Sequence, residues 1–247
     1  MKRARSDAAA RFGAAISELH AELDWGLLGR LLCEGDGSTF FPAPDREAIL
    51  ESGLLFADDL AALLAESSGG RSLYVGAALA ELAPILCEHL VLQREVHWHN
   101  LPGPESEELN RALAAVSKQL GFDLPRVETD GFEALAAQSC DHAWLVSVLT
   151  DPDCFPALHD RLYERSGAQA SGRGHLESER ARAALLLDEV LQRLRPPCVF
   201  STSDEELALV REACSRREWV LRVPSMGRIS GVVGDVVRVC RIDDMRT

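Results

Sequence analysis

The sequence has no Cys-x-x-Cys pair, no run of about 18 uninterrupted apolar residues, and no excess of positive charge. Each absence removes a class of protein. Its seven cysteines, Cys33, Cys87, Cys140, Cys154, Cys198, Cys214 and Cys240, are scattered, several of them inside apolar runs where a thiol acts as a small hydrophobe. An odd, unpatterned set argues against a disulfide framework and for a reducing compartment, so a cytoplasmic location is expected. The few basic residues at the N-terminus lack a following apolar segment, which argues against secretion, and the missing long apolar run argues against membrane insertion. Lys plus Arg total 26 against 39 Asp plus Glu, a formal net charge of −13. Such a surface repels a phosphate backbone, so nucleic acid is disfavoured as a partner. The one basic cluster, Lys2, Arg3 and Arg5, reads as a solvated terminus.

What remains is the composition of an ordinary globular protein, 47% hydrophobic and 26% charged over 247 residues, enough to bury a core. From residue 7 to 34, Phe12, Ile16, Leu19, Leu23, Leu27 and Leu31 recur every three or four positions and predict a helix, broken at Gly35-Asp36-Gly37. A second helix is expected from Asp45 to Glu66, and Ser67-Ser68-Gly69-Gly70 marks a boundary. Residues 1–70 are therefore read as an N-terminal helical region and 71–247 as a separate α/β domain.

Beyond Arg71, short apolar runs alternate with amphipathic helices, the pattern of βαβ units. Strands are expected at 72–76, 95–99, 126–128, 142–149, 198–201, 219–223 and 231–242. Helices are expected at 79–92, 106–120, 132–137, 156–163, 177–194 and 204–216, with a flexible loop over 166–174. The last two strands have no helix between them, so they must pair antiparallel. The prediction is a doubly wound α/β fold with a mostly parallel seven-stranded sheet, a C-terminal antiparallel pair and an N-terminal helical region.

Ser72-Leu73-Tyr74-Val75-Gly76-Ala77-Ala78-Leu79 runs as strand, tight small-residue turn and helix start, a geometry that lets backbone N–H groups approach a ligand. With one glycine it is not a dinucleotide fingerprint, and taken alone it reads more readily as a plain βα connection than as a ligand site. No P-loop and no Gly-x-Ser-x-Gly elbow is present. His97 and His99 alternate on one face of their strand beside Glu95, but two nitrogens with no third ligand in sequence reach do not make a metal centre, so none is expected. Asp151-Pro152-Asp153 leaves the fourth strand as either an Asp-Pro turn or a pair of carboxylates able to take a proton. Cys140 and Cys154 flank that strand without an activating partner. Ser203-Asp204-Glu205-Glu206 reads as a structural helix start, with Ser203 or Asp204 as N-cap.

This arrangement, a glycine turn after the first parallel strand and a sheet finishing in an antiparallel pair, resembles the class I S-adenosylmethionine-dependent methyltransferases over roughly residues 71–242. The resemblance implies S-adenosylmethionine as cofactor and a small-molecule or protein methyl acceptor. Residue by residue it assigns the methionine part of the cofactor to Val75, Gly76, Ala77 and Ala78 with Glu81 nearby, the ribose to His99 or Asn100, and the adenine to Asp130, Gly131 and Phe132. Ser147 falls at the fourth strand's end beside the cofactor, and Asp151 and Asp153 fall where the family commonly puts catalytic groups. The chain departs from the family at three places: Tyr74 replaces the acidic residue before the turn, Ala78 replaces the second glycine, and the second-strand carboxylate is missing. A neutral partner gives up the charge-assisted hydrogen bond to the ribose, which is roughly twice as strong. The Asn-Pro-Pro motif of amino-group methylation is absent. A second reading, a methyltransferase-like fold that serves as a non-catalytic binding or scaffold module, rests on these departures. A nucleotide-binding oxidoreductase is disfavoured by the missing glycine fingerprint.

Overall fold

The computed structural model describes residues 2–32, 39–65, 69–232 and 234–245, with the side chains of residues 2–6 and 168 left undescribed. Cys33, the Gly35-Asp36-Gly37 breaker, Ser67 and Ser68 of the expected boundary, and the basic side chains of Lys2, Arg3 and Arg5 lie outside that description. The chain divides into two compact units, Met1–Phe132 with Ser230–Gly234, and Glu133–Ile229 with Asp235–Thr247.

The first unit holds α1 (Lys2–Glu22), α2 (Trp25–Leu32), α3 (Ala43–Leu64), β1 (Arg71–Val75), α4 (Leu82–Leu86), β2 (Glu95–His99), α5 (Pro104–Leu120) and β3 (Val127–Glu128). The single apolar stripe expected over residues 7–34 is split in two, because Asp24 interrupts the helix and starts another. Its Oδ1 accepts from Leu27 N–H at 2.9 Å, an N-cap, while its own N–H donates to buried Glu108 at 2.7 Å. Pairing runs β3-β2-β1, all parallel, with Val75 opposite His99 and His99 opposite Glu128. Helix α1 packs on α5, and α3 on α4. The expected helix 79–92 is a succession of short pieces, a 3-10 turn at Leu79–Glu81, α4, and a π turn at Cys87–Val91. Residues 230–234 return to this unit and pack so tightly on α3 that a Cβ on Gly231 would lie 2.6 Å from the Ile49 Cα.

Beneath β1, Tyr74 Oη donates to Glu88 at 2.6 Å and Arg94 Nε donates to the same carboxylate at 2.8 Å, with the Ser72 hydroxyl as a third donor. All four side chains are buried, so the carboxylate must be satisfied internally. Burial, then the neighbouring Glu88 charge, drives the Tyr74 phenol well above its ordinary range.

The second unit holds β4 (Cys140–Leu145), α6 (Pro156–Leu162), α7 (Leu176–Arg193), β5 (Leu194–Ser203), α8 (Leu207–Arg216), β6 (Trp219–Arg222), β7 (Arg228–Ile229) and β8 (Val236–Asp244). Here β4 and β5 are parallel, and β8 pairs antiparallel with β5, β6 and β7. The architecture is the α/β one expected, mostly parallel with antiparallel C-terminal strands and N-terminal helices, except that among the described residues the two-residue β7 makes eight strands instead of seven. β5 begins at Leu194, ahead of the expected 198; Pro196 and Pro197, which lack N–H groups, fall where the register with β4 slips between Cys140 and His142. Residues 132–137 form only a 3-10 turn at Phe132–Ala134. The α8 helix starts at Leu207 with no side-chain cap, so neither Ser203 nor Asp204 is its N-cap. The Asp204 carboxylate instead binds Arg238 at 2.6 and 2.7 Å. Among the described residues no helix is long and apolar enough to cross a membrane.

Candidate functional site

β1 ends in the buried Val75, and the chain turns at Gly76 with φ of +68°, a left-handed conformation that glycine adopts without a Cβ penalty. Gly76 N–H donates to the His99 carbonyl at 2.8 Å, locking the turn to the end of β2. The Ala77 carbonyl receives two donors, Trp98 Nε1 at 2.7 Å and Asn100 Nδ2 at 3.2 Å. Ala78 N–H donates to the Glu81 carboxylate at 2.8 Å, so Glu81 closes the turn from the helix side. Ala78 has a φ of −142°, outside the left-handed range that favours glycine.

Around the end of β2 the same unit brings together His99, Asn100, Asp130, Gly131 and Phe132. His99 Nδ1 lies 3.0 Å from the Asp130 carbonyl, and the Phe132 ring packs edge-on at 5.8 Å from the imidazole. Asn100 Oδ1 accepts from Leu101 N–H at 2.8 Å, which with its bond to Ala77 leaves the amide fully oriented. Asp130 and Gly131 are exposed while Phe132 is buried. Thus ten of the residues singled out from the sequence, Val75 to Ala78, Glu81, His99, Asn100 and Asp130 to Phe132, lie in the first unit.

No family model matches the chain. No curated protein matches it in sequence either. Among solved structures it is similar to a SAM dependent methyltransferase from Aquifex aeolicus, at 14% identity and TM-score 0.44 over 81% of this chain and 97% of that one. It is also similar to TYW2 of Pyrococcus horikoshii, solved with MeSAdo, at 8% identity and TM-score 0.45 over 79% and 63% of the two chains. A third similarity is to the B. subtilis tRNA methyltransferase TrmK, at 11% identity and TM-score 0.41 over 78% and 65%. The chain spans 64%, 46% and 63% of the lengths of the first three structures it matches. Likeness at this level says nothing of activity.

Ser147, Asp151 and Asp153 belong to the second unit. β4 stops at Leu145, short of the expected 149, because Ser147 takes a left-handed φ of +58° and the chain then follows a carboxylate instead of a neighbouring strand. That carboxylate is Glu206, fully buried, which accepts Ser147 N–H at 3.0 Å, Leu149 N–H at 2.7 Å, the Thr202 hydroxyl at 2.9 Å and Ser203 N–H at 3.3 Å. Burial raises its pKa to about 6, and the four donors oppose but do not cancel that rise. Ser147 Oγ and Tyr163 Oη both donate to Asp235 Oδ2, each at 2.6 Å. Burial, then the Asp235 hydrogen bond, pushes the Tyr163 phenol well above its usual range.

Asp151 Oδ1 accepts the N–H groups of Asp153 and Cys154 at 2.9 and 2.8 Å, the geometry of an Asp-headed turn. The Asp153 side chain is 90% exposed, with Arg173 at 3.8 Å. Cys154 is no nucleophile: burial and the Asp151 charge raise its thiol to about 11, away from the thiolate. The sequence reading placed Glu206 in an ordinary helix start and did not single out Asp235. The only local signal was the acidic run 203–206, which has the same composition as an ordinary helix start.

Proposed function

We propose that the chain binds S-adenosylmethionine at the Gly76 corner of the first unit and transfers its methyl group to a small-molecule or protein acceptor. The observation that carries this reading is the left-handed Gly76 turn, tied to the end of β2 by the Gly76 N–H and held by Trp98, Asn100 and Glu81. An exposed Asp130-Gly131 pair follows the neighbouring strand β3. The residues fit an adenosyl amino acid: the turn presents backbone without a side chain at position 76, His99 or Asn100 would bond a ribose hydroxyl, and the exposed Asp130 carboxylate can accept from an adenine amino group. Tyr74, which replaces the family's acidic residue, directs its hydroxyl to Glu88.

When bound, the cofactor supplies an activated methyl group, and the remaining task is to align an acceptor, which demands few catalytic side chains. In the second unit, Asp153, or Asp151 through its second oxygen, is the group proposed to take a proton, and Ser147 is the polar group proposed to bind at the exit of β4. Residues 1–70 would form an N-terminal region to a methyltransferase domain of residues 71–247. Helices α1, α2 and α3 of that region enclose, with Leu79, Ala80 and Ala83, a small apolar cavity of about 30 Å³, room for a water or two and not for an acceptor. The net charge of −13 favours a small molecule or protein over nucleic acid. A cytoplasmic location belongs to the same reading.

The non-catalytic reading is favoured by one observation, that Asp151 already caps its own turn. Calorimetric titration with S-adenosylhomocysteine tests the proposal. One binding event, weakened when Asp130→Ala is introduced, is expected. Absence of heat together with an unchanged melting temperature would remove the cofactor, and binding without methyl transfer to any acceptor would favour the binding module.

A further inference from the structure

Three side chains that the sequence separates meet on one face of two adjacent strands. His97 and His99 are two apart on β2, so both imidazoles leave the same side of the sheet, and the register of β2 with β3 puts Glu128 directly opposite His99. One ligand atom from each of the three lies within 4.8 Å of the others. A tetrahedral first-row cation with bonds of about 2.0–2.1 Å wants ligand atoms about 3.3–3.4 Å apart, so a modest side-chain rotation closes the set. Glu128 has the freedom for it, its side chain being half exposed.

The protonation of His99 favours a ligand. Its Nδ1 faces the Asp130 carbonyl at 3.0 Å, and a carbonyl only accepts, so Nδ1 carries the proton. In the neutral ring Nε2 is then a lone pair. It is buried, has no hydrogen-bond partner among the described residues, and has Glu128 Oε2 at 3.7 Å. A backbone carbonyl holding the far nitrogen of an imidazole is the usual support of a metal-bound histidine. His97 has the equivalent support from a carboxylate, its Nε2 lying 3.0 Å from Glu95 Oε1, which leaves Nδ1 for coordination. Glu95 is itself oriented by Arg71 at 2.5 Å, and that bond first, then the Arg71 charge, holds its carboxyl below the usual range.

We infer that His97, His99 and Glu128 form a binding site for a divalent first-row cation of the zinc type, with a fourth position open to water. Two imidazoles and one carboxylate suit zinc or cobalt better than calcium or magnesium, which prefer all-oxygen sets. The site lies at the C-terminal end of β2 and would pin β2 to β3. It is independent of the cofactor reading, with one point of contact: a metal and a ribose hydroxyl cannot share the His99 lone pair, so with both bound the ribose falls to Asn100.

Full-length protein stripped with a chelator is titrated with Zn2+ by calorimetry and with Co2+ by visible absorption. One equivalent is expected, with a higher melting temperature for the zinc form. His97→Ala and His99→Ala should abolish binding, and Glu128→Gln and Glu95→Gln should each weaken it at least about tenfold. Should His99→Ala fail to fold, His97→Ala and the surface change Glu128→Gln decide the matter. No uptake, uptake unchanged in those variants, or thiolate-to-cobalt charge-transfer bands marking cysteine ligands would overturn the inference. A protein that takes zinc but no S-adenosylhomocysteine keeps this site and loses the methyl-transfer reading; the reverse result does the opposite.

Discussion

Glu88 in the first unit and Glu206 in the second are both buried to 0% exposure, and the protein satisfies them in opposite ways. Glu88 faces a cation, Arg94, with Tyr74 and Ser72 completing its shell. Glu206 has three backbone N–H groups and one hydroxyl instead. The first arrangement fixes side chains beneath β1, and the second fixes the path of the backbone leaving β4. A buried carboxylate neutralised by a cation is most vulnerable to loss of its partner, whereas one solvated by neutral donors is vulnerable to pH.

The largest expected effect is on the paired side. Glu88→Ala strands Arg94 as an uncompensated buried charge and should lower stability by about 3–5 kcal/mol in urea denaturation. A loss below about 1 kcal/mol would mean that the pair is not buried in solution. Glu206→Ala orphans four donors and should cost about 2–4 kcal/mol, with faster proteolysis after Ser147 as its local signature.

The third effect separates the two carboxylates directly. Glu206 has a folded pKa of about 6 against an ordinary 4.5, so the folded state binds its proton more tightly than the unfolded chain. Its contribution is therefore most favourable below about pH 4.5 and declines as pH rises through about 6, by up to about 2 kcal/mol. In Glu206→Gln that downward slope should vanish from the stability profile. A wild-type profile already flat across this window contradicts the assignment. The smallest effect is on the turn itself: Gly76→Ala must hold a Cβ at φ +68°, which should cost about 1–2 kcal/mol by the same denaturation.

The same contrast explains what the sequence made legible. The Gly76 corner is a local device, a glycine at a left-handed turn between an apolar strand and a helix start, with its supports Trp98 on the next strand and Asn100 just past its end, so the turn itself was legible locally while any role for it rested on the resemblance. The β4 exit depends on Glu206 and Asp235, which are 59 and 88 positions from Ser147. Nothing near Ser147 announces them, and the 203–206 run was read as a helix start because acidic residues there have that ordinary meaning. The split at Asp24 was hidden for a related reason: the apolar stripe continues across it, and its partner Glu108 is 84 residues away. Glu128 completes the histidine pair only through the β2–β3 register, which spacing within one strand cannot reveal.

The most direct measurement is a structure of the protein crystallised with S-adenosylhomocysteine. The account predicts its methionine part against the Gly76-Ala77-Ala78 backbone and its adenine beside Asp130 and Phe132. Density for the ligand elsewhere, or a Gly76 corner closed by the protein's own side chains at saturating ligand, would contradict it.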